Sequence, residues 1–372
     1  MSQSKKLFLA KTYTALNNLQ RRVCDEENNA QFASIDSIVK SSGIIDFDII
    51  FVDECSTIDN RTMEKFLNKI KKETKLVFSG DIYQIESIDF GNWFYYAKDI
   101  IKTKGASIEL LHNWRTDKKE LSSLWDEVRK KSPIITEKLS MDGPFSKDLC
   151  EDIFQLTDGE VVLCLNYDGK FGLNNMNQYF QNANKKSEEF SWAEWIFKIG
   201  DRIIFLDTRR SSLLYNNLKG IIQNIEKTDS SIVFTIDIKT YLTEEQCKDE
   251  SFEYVENNNN GTRIKLEVIA WDDELSEDDR IKTVIPFQIA YAISIHKAQG
   301  LEYESVKVVI PSSNAEKITH SIFYTAITRA KQKLKFFWSA ETMDAIVKGF
   351  TEKKVESKTL QLIKERLKIQ DE

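Results

Sequence analysis

The stretch DIIFVDE, Asp48–Glu54, is a continuous apolar run that ends in two adjacent carboxylates. A run of this length without alternation is the pattern of a strand buried on both faces, as in parallel sheets. Three other segments share the pattern: LFLA (Leu7–Ala10), KLVFSGD (Lys75–Asp81) and EVVLCLNY (Glu160–Tyr167). Each leads into a turn or an amphipathic helical stretch, which predicts parallel α/β units. From about Trp195 to Trp271 the texture changes. IGDRIIFLD, GIIQNIEK, SIVFTIDI and RIKLEVIAW are rich in β-branched residues separated by turns, and predict a small antiparallel β module. Within it YVENNNNGT reads as a polar, mobile loop. The α/β texture returns with FQIAYAISIHKAQG and VKVVIP, and the chain closes on a charged helical tail.

The bulk composition excludes several classes. Hydrophobic residues make up 41% and charged residues 30% of 372, an ordinary globular balance with room for about two domains. No apolar run reaches the roughly 18–20 residues that span a bilayer, so no membrane partner is expected. The net charge of −7 argues against coating nucleic acid by bulk charge, so any such track is a local groove. Five scattered cysteines (Cys24, Cys55, Cys150, Cys164, Cys247) form no CxxC pair. They fit neither a zinc ribbon nor a disulfide framework and point to a reducing cytoplasm.

Several sites carry chemistry. In FVDECS, Phe51–Ser56, one carboxylate can hold Mg²⁺ while its neighbour activates water; the plain alternative is an acidic helix start. FSGDIYQIESIDFGNW, Phe78–Trp93, places Gln84 near a strand's carboxyl end, where α/β sheets bind ligands. ELLHNWRT, Glu109–Thr116, offers Arg115 as a finger on a phosphate, with a surface salt bridge as the alternative.

AISIHKAQGLEYESVKVVIP (Ala292–Pro311) and SIFYTAITRAKQKL (Ser321–Leu334) are more specific. Their cores, ISIHKAQGLEY and YTAITRAK, resemble motifs V and VI of superfamily 1 helicases of the UvrD/RecD/Dda group. The other segments then fall in that family's order over nearly the whole chain. LFLAKTYTALNNLQRRV resembles motif Ia, FVDECS motif II, GDIYQ motif III and NWRT motif IV. FKIGDRIIFLDTRRSSLLYNNLKGIIQNIE resembles the opening of the family's SH3-like β insertion, with Asn in NNLKG where Gly is frequent. Asn tolerates the positive φ such a turn requires. Arg209 and Arg210 in this stretch read as a solvated basic pair or as phosphate contacts.

The resemblance implies an α/β fold with two RecA-like P-loop NTPase lobes, the first incomplete, and a small SH3-like β insertion in the second. The implied segments are 1–112 (partial first lobe), 113–198 and 285–345 (second lobe), 199–284 (insertion) and 346–372 (tail). The implied function is an ATP-dependent helicase or translocase moving on single-stranded DNA, with ATP and Mg²⁺ between the lobes. Asp53 would hold Mg²⁺ and Glu54 would be the catalytic base. Gln84 would sense the γ-phosphate, Arg115 and Arg329 would clamp it, and Gly300 and Glu302 would link nucleotide to DNA. Thr12, Tyr13, Ser294, His296 and Lys297 would touch the single strand, and Trp93 is a stacking candidate with a core tryptophan as the equal alternative. The group's 5′→3′ polarity carries over only as analogy, and RNA is not distinguished from DNA.

The pattern departs from the family in one respect. The phosphate-cradling G-x-x-x-x-G-K-[ST] is missing: the single Gly–Lys pair is Gly169–Lys170, followed by Phe171. This predicts a C-terminal portion that hydrolyses ATP poorly alone, with a protein or segment supplying the P-loop, or else a non-catalytic helicase-like binding subunit.

Overall fold

The computed structural model describes residues 4–23, 29–87, 89–101, 106–110, 113–185, 187–206, 209–350 and 356–367. Cys24, Leu111 and His112 of the motif IV stretch, Asp207 and Thr208 of the insertion's opening, and 351–355 and 368–372 of the tail lie outside these. Contacts divide the chain into two compact units, one of 1–150, 158–160 and 298–372, the other of 151–157 and 161–297.

The first unit opens with a parallel α/β series. Strands β1 (Lys6–Ala10), β2 (Ala30–Ser34), β3 (Ile49–Asp53) and β4 (Lys75–Phe78) form one sheet in the order β2-β1-β3-β4. One sheet face is an aromatic ladder: Phe8 stacks on Phe32 at 5.1 Å and on Phe51 at 4.7 Å, its direct register partners on either side. The other face carries Leu7, Leu9, Ile50 and Val52 into a core with Ile35, Met63 and Phe66. Helices α1 (Tyr13–Arg22), α2 (Ile35–Lys40) and α3 (Asn60–Leu67) start just beyond strand ends, each on a side-chain cap from Thr12, Ser34 or Asp59. These caps keep the connections short, so the residues after β1, β3 and β4 gather at the sheet's carboxyl edge.

Gly80 sits where two of those connections meet. A Cβ there would lie 2.8 Å from Phe94 Cε1, 3.0 Å from Cys55 N and 3.1 Å from Ser56 N. Gly80→Ala is therefore expected to destabilise the unit by about 1–3 kcal/mol, the usual overpacking cost. Urea unfolding measures it, and an unchanged midpoint would show that the two loops separate freely.

The same unit holds a second parallel set, in which Tyr303–Val309 pairs with Ala330–Phe337 and that strand with Ser146–Lys147. Helices Lys119–Arg129, His320–Ile327 and Ala340–Gly349 accompany it, over a stack of Phe323, Phe336 and Trp338. The charged tail is helical over Glu356–Leu367.

The second unit carries the antiparallel module. Its sheet has six strands, in spatial order Glu253–Asn258, Gly261–Ile269, Ser231–Ile238, Lys219–Lys227, Arg202–Phe205 and Phe287–Ile289. The last of these lies past residue 284. Edge-on contacts of Phe197, Phe205, Phe234 and Phe287 fill its core. Asn217, in the NNLKG turn, has φ 70°, the conformation anticipated for it. Two expectations are corrected here. YVENNNNGT is not a loop but the tip of a hairpin, closed by Asn258↔Gly261 pairing and an Asn258 Oδ1 bond from Asn260 N. Its residues are polar because the strand faces solvent, so no apolar alternation marked it. Arg210 is buried, with its guanidinium on the carbonyls of Glu267, Ile281 and Lys282, so it is a structural tie rather than a solvated or phosphate-binding group.

Also in this unit, Ala292–Ser294 pairs in parallel with Val162–Cys164. Asn177, from helix Leu173–Ala183, bonds both the carbonyl and the amide of Ala292.

Candidate nucleotide site and nucleic-acid residues

Glu54 follows β3 directly and takes the left-handed conformation, φ 52°. That is an uncommon state for a non-glycine residue and is typical of functional positions. Burial pushes its carboxyl above the ordinary range, and the neighbouring Asp53 adds to the rise. Arg329, Arg115 and Asp81 are the other charges acting on it. Residues separated by up to 275 positions thus converge on one acid.

The two arginines are held by the protein itself. Arg115 Nε donates to Glu302 Oε1 at 2.8 Å and its Nη1 to Thr328 O at 2.9 Å. Arg329 is 1% exposed and donates to Thr325 O, Leu301 O and Thr328 Oγ1. Burial, helped by Arg115, pushes its guanidinium down to about 10. Burial alone would raise Glu302, but Arg115 and Lys331 hold its carboxyl below the usual range, with Lys331 Nζ 3.2 Å away. Gly300, at φ 75°, supplies the turn that carries Leu301 and Glu302 into this cluster. The structure therefore brings together Glu54, Arg115, Glu302 and Arg329, with Asp53 and Gly300 beside them in the chain.

Gln84 lies in the loop after β4, with its Nε2 on Asp81 Oδ2 at 3.2 Å. Asp81, Gln299, Tyr324, Thr325 and Lys331 also belong to the cluster, and residue-by-residue reading missed them. Each sits inside a quoted motif, Asp81 three before Gln84 and Thr325 four before Arg329, which was the available signal.

The nucleic-acid candidates divide between the units. In the first, Thr12 caps α1 through Ala15 N and Tyr13 is half-buried beside it. Trp93 packs edge-on against Phe78 and Phe94, and its indole N–H donates to Ile58 O at 2.9 Å, an arrangement of core type. In the second, Ser294 is buried with its Oγ accepting from Lys297 N, and His296 is exposed. Lys297 Nζ bonds Gln288 Oε1 at 3.1 Å, and burial lowers its ammonium pKa.

Parallel α/β sets with acids and arginines gathered between them are the architecture of nucleotide-binding folds, and known proteins share it. Residues 289–336 match the UvrD-like helicase C-terminal domain and residues 5–143 the AAA domain. The RecBCD enzyme subunit RecD of Buchnera aphidicola (strain APS) is 24% identical over 90% of this chain and 60% of its own length. RecD of Mycolicibacterium smegmatis is 22% identical over 77% of this chain and 49% of its own. The chain thus spans about half the length of such curated relatives. Among solved structures, Pif1 helicase from Bacteroides in complex with ADP-AlF3 and ssDNA superimposes with TM-score 0.55 at 13% identity, over 98% of this chain and 89% of that one. The chain is similar to superfamily 1 helicases, and its fold is that of their RecA-like lobes.

Proposed function

We propose that this chain is the motor portion of an ATP-dependent superfamily 1 helicase or translocase that moves on single-stranded DNA. The observation that carries the reading is the convergence of Glu54, Arg115, Glu302 and Arg329 beyond the strand ends. Mg²⁺ accompanying the nucleotide would be held by Asp53; one carboxylate is a usual protein share for that ion. Glu54 takes a proton from the attacking water, and the arginines meet the charge on the transferring phosphate after leaving their present carbonyl and carboxylate partners. Gly300 and Glu302 link the nucleotide to the strand-contacting residues Ser294, His296 and Lys297, and Thr12 and Tyr13 are the strand-contacting residues of the first unit; Trp93, packed as a core residue, keeps a packing role. The phosphate cradle comes from a P-loop supplied by a further segment or a partner protein. The outer edge of β4 supports this: it pairs with no other strand among the described residues, and Val77 there is 44% exposed. The RecD relatives are subunits of a complex by name, which fits a partner-dependent motor. A reducing cytoplasm suits the free cysteines, of which Cys55, Cys164 and Cys247 are buried.

The test is ATP turnover with and without single-stranded DNA, beside Glu54→Gln, in a chain or complex carrying a P-loop. Stimulated turnover that disappears in Glu54→Gln is expected. Folded protein with no turnover above the variant would instead favour a non-catalytic binding subunit. The present engagement of every Arg329 nitrogen by protein acceptors is the observation on that side. Matched DNA and RNA oligonucleotides would separate the two possible tracks.

A further inference from the structure

Strand Ala330–Phe337 is eight residues long, yet its outer side is covered over two residues. Ser146–Lys147 pairs with Phe336 and Phe337, and no other strand lies on that side among the described residues. Phe336 N donates to Phe145 O at 2.7 Å and Trp338 N to Lys147 O at 3.0 Å. Alternate residues of a parallel strand turn their backbone groups to the same side, so Gln332 and Leu334 present theirs along the uncovered stretch. That stretch is closed at both ends. Thr116 Oγ1 donates to Lys331 O at 2.6 Å and Gln332 Nε2 reaches Asp117 Oδ1 at 3.4 Å. At the far end Lys335 Nζ donates to Pro144 O at 2.8 Å. Between them, at the start of helix Lys119–Arg129, is a cavity of about 750 Å³. None of its lining residues belongs to the Glu54 cluster.

The lining has two textures. Leu121, Phe145 and Leu334 are buried apolar residues. Lys118, Lys119, Lys333 and Lys335 are the cations, against Asp117, Glu120 and Glu160. Glu160 is already engaged, by Ser305 Oγ at 2.7 Å and by Lys307 Nζ at 3.4 Å. Lys118, Lys119 and Lys333 make no ion pair among the described residues. Burial, with Lys147 close by, holds the Lys335 ammonium below the ordinary lysine range, and an anion placed beside it would counter both. Lys333 and Lys335 alternate with Leu334, so they stand on the opposite face of the strand. A strand added along this edge therefore meets apolar side chains on one face and ammonium groups on the other. Lysines on an edge repel a second cationic edge and select an acidic one. A phosphodiester suits the place less well, because it has no N–H to give to the carbonyls of Gln332 and Leu334.

We propose that this edge is a docking site for an extended peptide of a partner protein in which acidic residues alternate with apolar ones. Its backbone continues the sheet beside Gln332–Leu334, its carboxylates meet Lys333 and Lys335, and its apolar side chains rest on Leu121, Phe145 and Leu334. The site is independent of the motor reading.

The experiment titrates the full chain with a short fluorescent peptide that alternates glutamate and valine, read by anisotropy. Saturable binding is expected, and bound peptide should slow amide hydrogen exchange at Gln332 and Leu334. Lys333→Glu with Lys335→Glu should weaken binding about tenfold or more, since two ion pairs become two repulsions. Lys333→Glu alone, at an exposed position, should weaken it about threefold with the melting temperature unchanged. Two further peptides carry N-methyl groups on the glutamate amides or on the valine amides. One should lose about tenfold in affinity and the other keep it, because only alternate amides of an added strand face the sheet. Equal binding by the two methylated peptides, or no saturable binding by the parent, would overturn the proposal. Single-stranded DNA that displaces the peptide and suffers the same loss in the lysine variants would also overturn it, and make the cavity a phosphate site.

Discussion

In a protein or complex carrying a P-loop, Arg329→Ala is expected to lower strand-stimulated ATP turnover by about 10³–10⁵-fold, the range over which arginine fingers act. Two features of the site motivate the size. Arg329 is one of the few cations acting on the buried Glu54, and its charge lies in a water-poor position where it counts for more. The side chain also has a structural task, since it joins helix His320–Ile327 to Leu301. Part of the loss could therefore come from folding, and the melting temperature must be read beside the rate. Arg329→Lys separates the two: it keeps the charge but cannot reach three acceptors at once. It should melt lower than the parent and still turn over faster than Arg329→Ala. Turnover within tenfold of the parent in Arg329→Ala would reduce the residue to a structural tie.

The second large effect belongs to the other unit. Asp201 is 0% exposed and accepts from Gln181 Nε2 at 2.6 Å, Lys198 N at 2.8 Å and Tyr291 OH at 2.9 Å. It joins the first strand of the antiparallel module to helix Leu173–Ala183 and to the residue preceding Ala292. Asp201→Ala strands three buried donors, each worth roughly 1–3 kcal/mol, so a loss of about 3–5 kcal/mol is expected in urea unfolding. Asp201→Asn keeps an acceptor for the two N–H groups and can donate to the Tyr291 oxygen, so its loss should be smaller. The two variants also differ with pH. Burial holds the Asp201 carboxyl above its unfolded value despite the three bonds. The folded state therefore binds that proton more tightly. Relative to Asp201→Asn, the parent should gain stability as pH falls from the raised folded value to the ordinary carboxylate value, and lose it as pH rises back. A loss under about 1 kcal/mol in Asp201→Ala would mean that water replaces the carboxylate and that the network is dispensable.

Much of this architecture was legible because it is local. Leu7–Ala10, Ile49–Asp53 and Lys75–Phe78 are apolar enough to be strands in any parallel sheet, whereas the caps Thr12, Ser34 and Asp59 emerge only from the structure. The positive φ of Asn217 follows from the turn it occupies. The hairpin at Glu253–Ile269 was missed because its outer strand is solvated, so the alternation that reveals strands was not there. Arg210 misled because a basic pair in sequence carries no information about which carbonyls surround it.

The sequence by itself determined the elements, their order and the chemistry each motif brings: acids at the end of β3, an amide after β4, arginines in two later segments. Which of these face one another was decided only by tertiary structure. The contacts that define the cluster join Arg115 to Glu302 across 187 residues, Gln299 to Ile85 across 214 and Ile85 to Thr325 across 240. Side-chain direction at such separations depends on how packed cores bring strand ends together and on which donors find acceptors there. That is why the engaged state of Arg329 could not be read from the motif that contains it.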